Sequence, residues 1–264
     1  MSEPTTGVVF RPQSPPEQLR NAARRADEAG IDELWLWEDC FLEGGLTAAA
    51  AALAWTGRLT VGVGLLPVPL RNPALVAMEL ATLARLFPGR FLPALGHGVQ
   101  DWMAQVGGRV ASPMALLREH TDAVRTLLAG RTVTATGKYV RLDGVTLDWP
   151  PQQPQPVLIG GRGPKTLRLA GEVADGVLLD SGLTLEQVRE SLAAVEEGRA
   201  AAGRTDEPFR VVGYVEVDPA APDLPDLLAR RTAEFGAAGV TSVVFQTTDD
   251  DPDPEPLIAA LGRA

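Results

Sequence analysis

The sequence predicts an α/β fold, a (β/α)8 TIM barrel, and three observations carry that prediction. Short apolar runs alternate with longer amphipathic ones along the 264 residues. Alternation at this spacing calls for parallel strands joined by crossover helices. Eight such units fit the length that a barrel of this type needs. An open doubly wound sheet is the alternative architecture. No G-x-G-x-x-G follows the first strand, so the dinucleotide-binding version of that sheet has no support. Residues 1–264 read as one domain.

The first strand is predicted at 7–10. A helix follows, capped by Ser14, with Pro15 at its first position and Glu17 completing a capping box. Leu19, Ala22, Ala23 and Ala26 form its apolar face, and Gly30 ends it. Residues 31–37 are the second strand, and an alanine-rich helix over 46–55 takes Thr47 as its cap. The third strand, 59–66, is almost continuously apolar, as burial on both faces requires. Asn72-Pro73 opens the third helix, 91–95 is the fourth strand, and Ser112-Pro113 starts a helix to 129. The stretch 131–150 departs from the alternation. It reads as a hairpin-like insertion after the fourth unit, with turn signals at Thr136-Gly137 and Asp143-Gly144. Covering the barrel mouth and serving an interface are both open roles for it. Strands at 157–159, 176–179, 209–217 and 241–245 then alternate with helices at 164–172, 184–202, 224–235 and 256–261. Thr184 and Gln187 form a capping-box pair.

Composition narrows the function. There are 24 Lys+Arg against 34 Asp+Glu, a net charge of −10, which argues against a nucleic-acid or anionic-membrane surface. A local anion site must then be built from backbone N–H groups and a few well-placed cations. One Cys and two His exclude a disulfide framework and a thiolate- or histidine-rich metal site, so no metal is expected. No apolar run approaches the roughly 20 residues of a membrane span. The first residues lack a signal-peptide pattern, and the expected location is the cytoplasm.

Barrels of this kind place chemistry at the C-terminal ends of the strands. The fifth strand ends in Gly160-Gly161-Arg162-Gly163 and runs into a helix beginning Pro164-Lys165. Glycines admit a ligand close to the backbone, and a helix N-terminus offers unpaired N–H donors. Arg162 and Lys165 add positive charge, so the segment reads as a phosphate cradle or, more plainly, as a tight strand-to-helix turn. The second strand ends in Glu38-Asp39-Cys40, where Asp39 can hold a ligand N–H or start a loop. Cys40 has no visible base beside it to make a thiolate and reads as an inert small residue. His97, between Gly96 and Gly98 at the end of the fourth strand, is the candidate proton carrier. His120 reads as structural. Trp35, Trp37, Trp55 and Trp149 read as packing, whereas Trp102 can line the pocket of a planar ligand.

Three segments carry a family resemblance: LWLWEDCFLEGG, RLTVGVGLLPVPLRNPALVAMELATLARLFPGRFLPALGHGVQDWMAQVG and PVLIGGRGPKTLRLAGEVADGVLL. They resemble the bacterial luciferase-like superfamily, and within it the actinobacterial oxidoreductases that use the deazaflavin coenzyme F420. The resemblance implies a (β/α)8 barrel, a homodimer, and hydride transfer between coenzyme F420 and an unidentified small organic substrate. It implies a non-prolyl cis peptide around Val63 and Gly64 against the coenzyme ring, and a phosphate loop at Gly160, Gly161 and Gly163. It also implies a hydrogen bond from Asp39 to the deazaflavin. The following position is often His in the deazaflavin-dependent dehydrogenases and is Cys40 here. That departure argues against sugar-phosphate dehydrogenase chemistry and leaves His97 as the better acid/base. Arg71, Arg162, Lys165 and Arg168 are candidates for a basic rim facing the coenzyme's acidic tail. An FMN-dependent monooxygenase is the alternative enzyme. A barrel that binds a flavin-type cofactor without turnover is the alternative from another class, and a flavin-free lyase or hydrolase lacks a metal site or a Ser/His/Asp arrangement.

Overall fold

A computed structural model of the chain describes residues 3–262. Eight parallel strands close into a barrel: β1 (Thr5–Phe10), β2 (Glu33–Leu36), β3 (Thr60–Pro67), β4 (Phe91–Gly96), β7 (Leu158–Gly160), β8 (Gly176–Leu179), β9 (Arg210–Glu216) and β10 (Ser242–Gln246). Their order around the barrel is β1-β10-β9-β8-β7-β4-β3-β2, with β2 pairing back to β1. Helices α1 (Leu19–Glu28), α2 (Gly45–Trp55), α3 (Pro73–Leu86), α5 (Pro113–Leu128), α6 (Pro164–Val173), α7 (Leu185–Ala201), α8 (Leu224–Ala237) and α9 (Glu255–Leu261) are the eight expected from sequence. A ninth, α4 (Gln100–Gln105), is six residues long and buries only Met103, too little to produce a readable apolar stripe.

The strands look uniformly apolar because both faces are covered, yet they alternate. Val9, Trp35, Leu92, Leu158, Val212 and Val244 point into the lumen. Their neighbours Val8, Phe10, Leu34, Leu36, Val61 and Val211 pack outward against the helices. Gly62 faces inward without a side chain because a Cβ there would strike the Trp35 ring, 2.5 Å from its Cε2. At the floor of the lumen Glu33, 1% exposed, accepts from Thr5 Oγ1 and Trp35 Nε1, each at 2.7 Å, and pairs with Arg210. These partners offset the cost of taking the carboxylate out of water.

Several expected caps differ. Ser14 makes no cap: a short 3-10 turn (Pro16–Gln18) precedes α1, and Pro15 and Pro16 lack the N–H groups a cap needs. Helix α2 begins at Gly45, with Thr47 inside it, because the Glu38 carboxylate reaches over from the end of β2 and accepts the Gly45 N–H at 2.9 Å. Ser112 caps nothing with its side chain, and its N–H donates to Tyr139 Oη at 2.8 Å. Asn72 Oδ1 accepts from Ala74 N–H at 2.9 Å, and Thr184 and Gln187 form the expected capping box.

The insertion is a two-stranded antiparallel hairpin, β5 (Val133–Thr136) and β6 (Arg141–Val145). Its turn lies at 137–140. Asp143-Gly144 instead falls inside β6, across from a register shift, with Gly144 at φ +62°. The hairpin does not cover the barrel mouth. Val133 and Val140 pack with Ala77 of α3 and with Ala123 and Leu127 of α5. Glu119 of α5 accepts the N–H groups of Lys138, Tyr139 and Val140 at 2.8–3.0 Å. No helix among the described residues is long and apolar enough to cross a membrane.

Candidate active site

A cavity of about 390 Å³ opens at the C-terminal ends of the strands, within the range typical of small-molecule sites. The end of β2 contributes Trp37, Glu38 and Asp39, and β3 contributes Gly64, Leu65 and Pro67. His97, Gly98 and Val99 follow β4, Trp102 comes from α4, and Gly160 and Gly161 close β7. Leu178, Asp180 and Tyr214 complete the lining from β8 and β9. A larger cavity of about 880 Å³ lies at the opposite end of the strands, where Arg125 and Arg204 pair with Asp175 and Arg210 pairs with Glu33. Arg125, Arg204 and Arg210 are already paired there, and the cavity lies away from the end where barrels of this kind hold their chemistry.

The floor of the mouth pocket follows from β3. Leu65 is the extra residue of a bulge against β4, between Gly64 paired with Ala94 and Leu66 paired with Leu95. Its side chain turns over the mouth and fills the space that a Cβ on Gly96 or Gly160 would occupy. Gly64 itself lies beneath Tyr214: a Cβ there would land on Tyr214 Oη and sit 2.6 Å from Leu178 Cδ2. The Gly64-Leu65 peptide is cis and non-prolyl, where the resemblance places such a bond, and Cys40-Phe41 is a second one. Val63 points away from the pocket. It is fully buried between β3 and α2, where a Cβ on Gly45 would come 2.8 Å from its Cγ1. Gly96 is likewise a packing position for Leu65, not a lining residue.

Asp39 and His97 both line the pocket. Burial pushes the Asp39 carboxyl above the usual carboxylate range, Arg11 pulls it down, and Asp180 pushes it up again. Burial holds His97 below 6.5 against a smaller opposing effect of the Pro113 backbone, so the ring is neutral near pH 7. His97 Nε2 lies 3.1 Å from Thr166 Oγ1, and that hydroxyl is 3.5 Å from Met114 Sδ. In this pair the ring nitrogen and the hydroxyl can each donate to the other, according to the tautomer. Nδ1 is buried and has no hydrogen-bond partner. Burial and the nearby Glu38 and Asp39 raise the Cys40 thiol, so it is no thiolate at neutral pH.

The glycine segment splits in two. Gly160 and Gly161 line the pocket, and the tightness of Gly161 comes from Thr166, whose Cγ2 would be 2.5 Å from a Cβ. Gly163 opens to empty space at the N-terminus of α6, whose first turn has no side-chain cap. Arg162 is exposed and gives its Nε–H to Asp180 Oδ2 at 2.5 Å, and Lys165 is exposed beside it. The other two expected rim cations are engaged: Arg168 pairs with Glu197, and Arg71 pairs with Glu38 and reaches Glu79 at 3.7 Å.

Sequence reading missed Trp37, Val99, Leu178 and Tyr214 as pocket residues. Trp37 stacks under the Arg11 guanidinium at 5.1 Å and beside the Tyr214 ring at 5.9 Å, so it is a pocket wall as well as packing. Period-two alternation along β9 was the signal available for Tyr214. Trp102 lines the pocket as expected.

The sequence model of the family described as luciferase-like monooxygenase matches residues 3–223. An F420-dependent glucose-6-phosphate dehydrogenase of Kineococcus radiotolerans is 33% identical over 210 residues, 74% of this chain and 61% of that protein. The match therefore spans less than two thirds of that relative's own length. A 5,10-methylenetetrahydromethanopterin reductase of Methanolobus tindarius is 28% identical over 251 residues, 94% of this chain and 76% of the relative. The solved coenzyme F420-dependent tetrahydromethanopterin reductase from Methanopyrus kandleri superposes with a TM-score of 0.85 at 20% identity, covering 99% of this chain and 98% of that one.

Proposed function

The chain belongs to the luciferase-like monooxygenase family, and from that membership we propose that it is an oxidoreductase transferring hydride between coenzyme F420 and a small organic substrate. The observation that carries the proposal is the pairing of a largely apolar pocket over Gly64 and Leu65 with an uncapped helix start at Gly163. That pairing fits a planar ring with a phosphate-bearing tail. When bound, coenzyme F420 supplies a ring that accepts or gives a hydride, chemistry that side chains lack.

The protein's own residues bind, orient and manage the proton. The N–H groups of the first turn of α6, with Lys165 beside them, hold the phosphate through the helix dipole and charge. Gly64 and Leu65 form the seat of the ring, and Trp37 and Trp102 shield it from water. The Asp39 carboxylate accepts no side-chain or backbone hydrogen bond among the described residues, which frees it to take one from the ligand. His97, neutral at working pH, takes the proton released by an oxidised substrate or returns it in the reverse direction. The reading includes residues 1–264 acting as one domain, a cytoplasmic location and a homodimer. The exposed Phe41 and Leu42 on the β2–α2 loop, Leu70 before α3, and Leu75 and Met78 within α3 support the homodimer.

The test is a side-by-side fluorescence titration of the apo-protein with coenzyme F420 and with FMN. Tighter binding of F420 is expected. Preference for FMN transfers the proposal to an oxygen-using monooxygenase, and binding of neither removes the phosphate-loop assignment.

A further inference from the structure

We propose that the pocket takes an uncharged or positively charged, ring-bearing substrate and offers no seat for a substrate phosphate or carboxylate. The inference rests on the coenzyme reading above and specifies the substrate class of that same site. Three carboxylates, Glu38, Asp39 and Asp180, line the pocket, and no Lys or Arg does so among the described residues. The arginines around it are spoken for. Arg11 is 3% exposed, bonded to the Thr247 carbonyl and to Asp249, and stacked on Trp37. Arg71 holds both oxygens of Glu38, Arg162 holds Asp180, and Arg168 holds Glu197.

Of the cations near the mouth, Lys165 is left without an ion pair, and it stands at the glycine loop where the coenzyme's own phosphate belongs. A second anion placed between Asp39 and Asp180 would meet like charge, and the nearest guanidiniums, Arg11 and Arg162, are already bonded to carboxylates. A charge desolvated without a partner is strongly disfavoured. The walls favour the opposite chemistry. Trp37, Trp102 and Tyr214 present aromatic surface, and Leu65, Leu178 and Val99 present aliphatic surface. Such walls accept a ring and, through their π faces, a cation. A sugar phosphate, the substrate named for one group of relatives, therefore lacks a binding group here.

The test uses three probes of one shape: benzylammonium, benzyl alcohol and benzyl phosphate. Binding is read by quenching of tryptophan fluorescence, since Trp37 and Trp102 lie in the wall. The coenzyme titration is read first and separately. If F420 binds, the probes are titrated into the loaded protein. If it does not, the coenzyme reading fails on its own, and the probes are titrated into apo-protein with excess inorganic phosphate occupying the loop. The expected result is that benzylammonium and benzyl alcohol each bind at least about ten-fold more tightly than benzyl phosphate. Benzyl phosphate binding as tightly as the alcohol overturns the proposal, as does failure of all three probes to bind.

The variant Val99→Lys places a cation at the pocket rim on a half-exposed position. It should raise affinity for benzyl phosphate by about ten-fold while weakening benzylammonium. A probe order unchanged in that variant would mean that charge is not what discriminates, and would also overturn the proposal.

Discussion

Glu43, on the loop between β2 and α2, offers a sharp test of how burial acts on a carboxyl in this protein. Both of its carboxylate oxygens are buried without a hydrogen-bond partner, and burial alone pushes the group from 4.5 to about 7. Below pH 4.5 the carboxyl is protonated folded and unfolded, and it costs nothing through ionisation. As pH rises from 4.5 to 7 the unfolded chain ionises first, while the folded protein must keep a neutral carboxyl, so stability falls across that window. Above pH 7 the full penalty is present, at most about 3 kcal/mol at 1.36 kcal/mol per pKa unit and about 1–2 kcal/mol once solvent screening of this partly buried side chain is counted.

Glu43→Gln removes the ionisation and leaves a polar group of similar size in the same place. An orphaned amide has its own desolvation cost, but that cost does not vary with pH. The prediction therefore concerns the pH dependence of the difference between the two proteins. Urea unfolding of both at pH 5 and pH 8 should show the variant gaining about 1–2 kcal/mol relative to wild type between the two conditions. Every other titrating group is common to both proteins and cancels. A difference that stays constant from pH 5 to pH 8 would refute the assignment of an unpartnered buried carboxyl.

Three further outcomes follow from the same geometry. Gly64→Ala drives a methyl group into Tyr214 Oη and Leu178, which should cost about 1–3 kcal/mol by chemical denaturation and weaken coenzyme binding. His97→Ala should lower the rate of hydride transfer by about 10²–10⁴ while the F420 dissociation constant changes little. Unchanged turnover would remove the proton role from His97. Lys165→Ala should weaken F420 binding more than Arg162→Ala, because the Arg162 guanidinium is already shared with Asp180. The opposite ranking, read by the same fluorescence titration, would place the phosphate elsewhere.

The alternation of short apolar runs with amphipathic ones was enough to determine the barrel, because parallel strands buried on both faces and crossover helices leave periodic marks in sequence. Strand-end logic also located Asp39, Gly64, His97, Gly160 and Gly161, since chain order alone decides which loops emerge at the C-terminal face. What lines the pocket beyond them depended on closure. Trp37 and Tyr214 belong to strands β2 and β9, far apart in sequence, and meet only because the barrel brings both to one mouth. Leu65 turned inward because of a one-residue bulge that no local pattern announces, and Val63 turned outward for the same alternation. The insertion's place against α3 and α5 was set by Glu119 and a small apolar cluster. Charge was the least legible property. Arg71, Arg162 and Arg168 read as free cations in sequence, and each found its carboxylate only when the chain folded. Propensity and periodicity are local and survive in the sequence, whereas ion pairing and pocket lining are sums over partners that only the tertiary structure brings together.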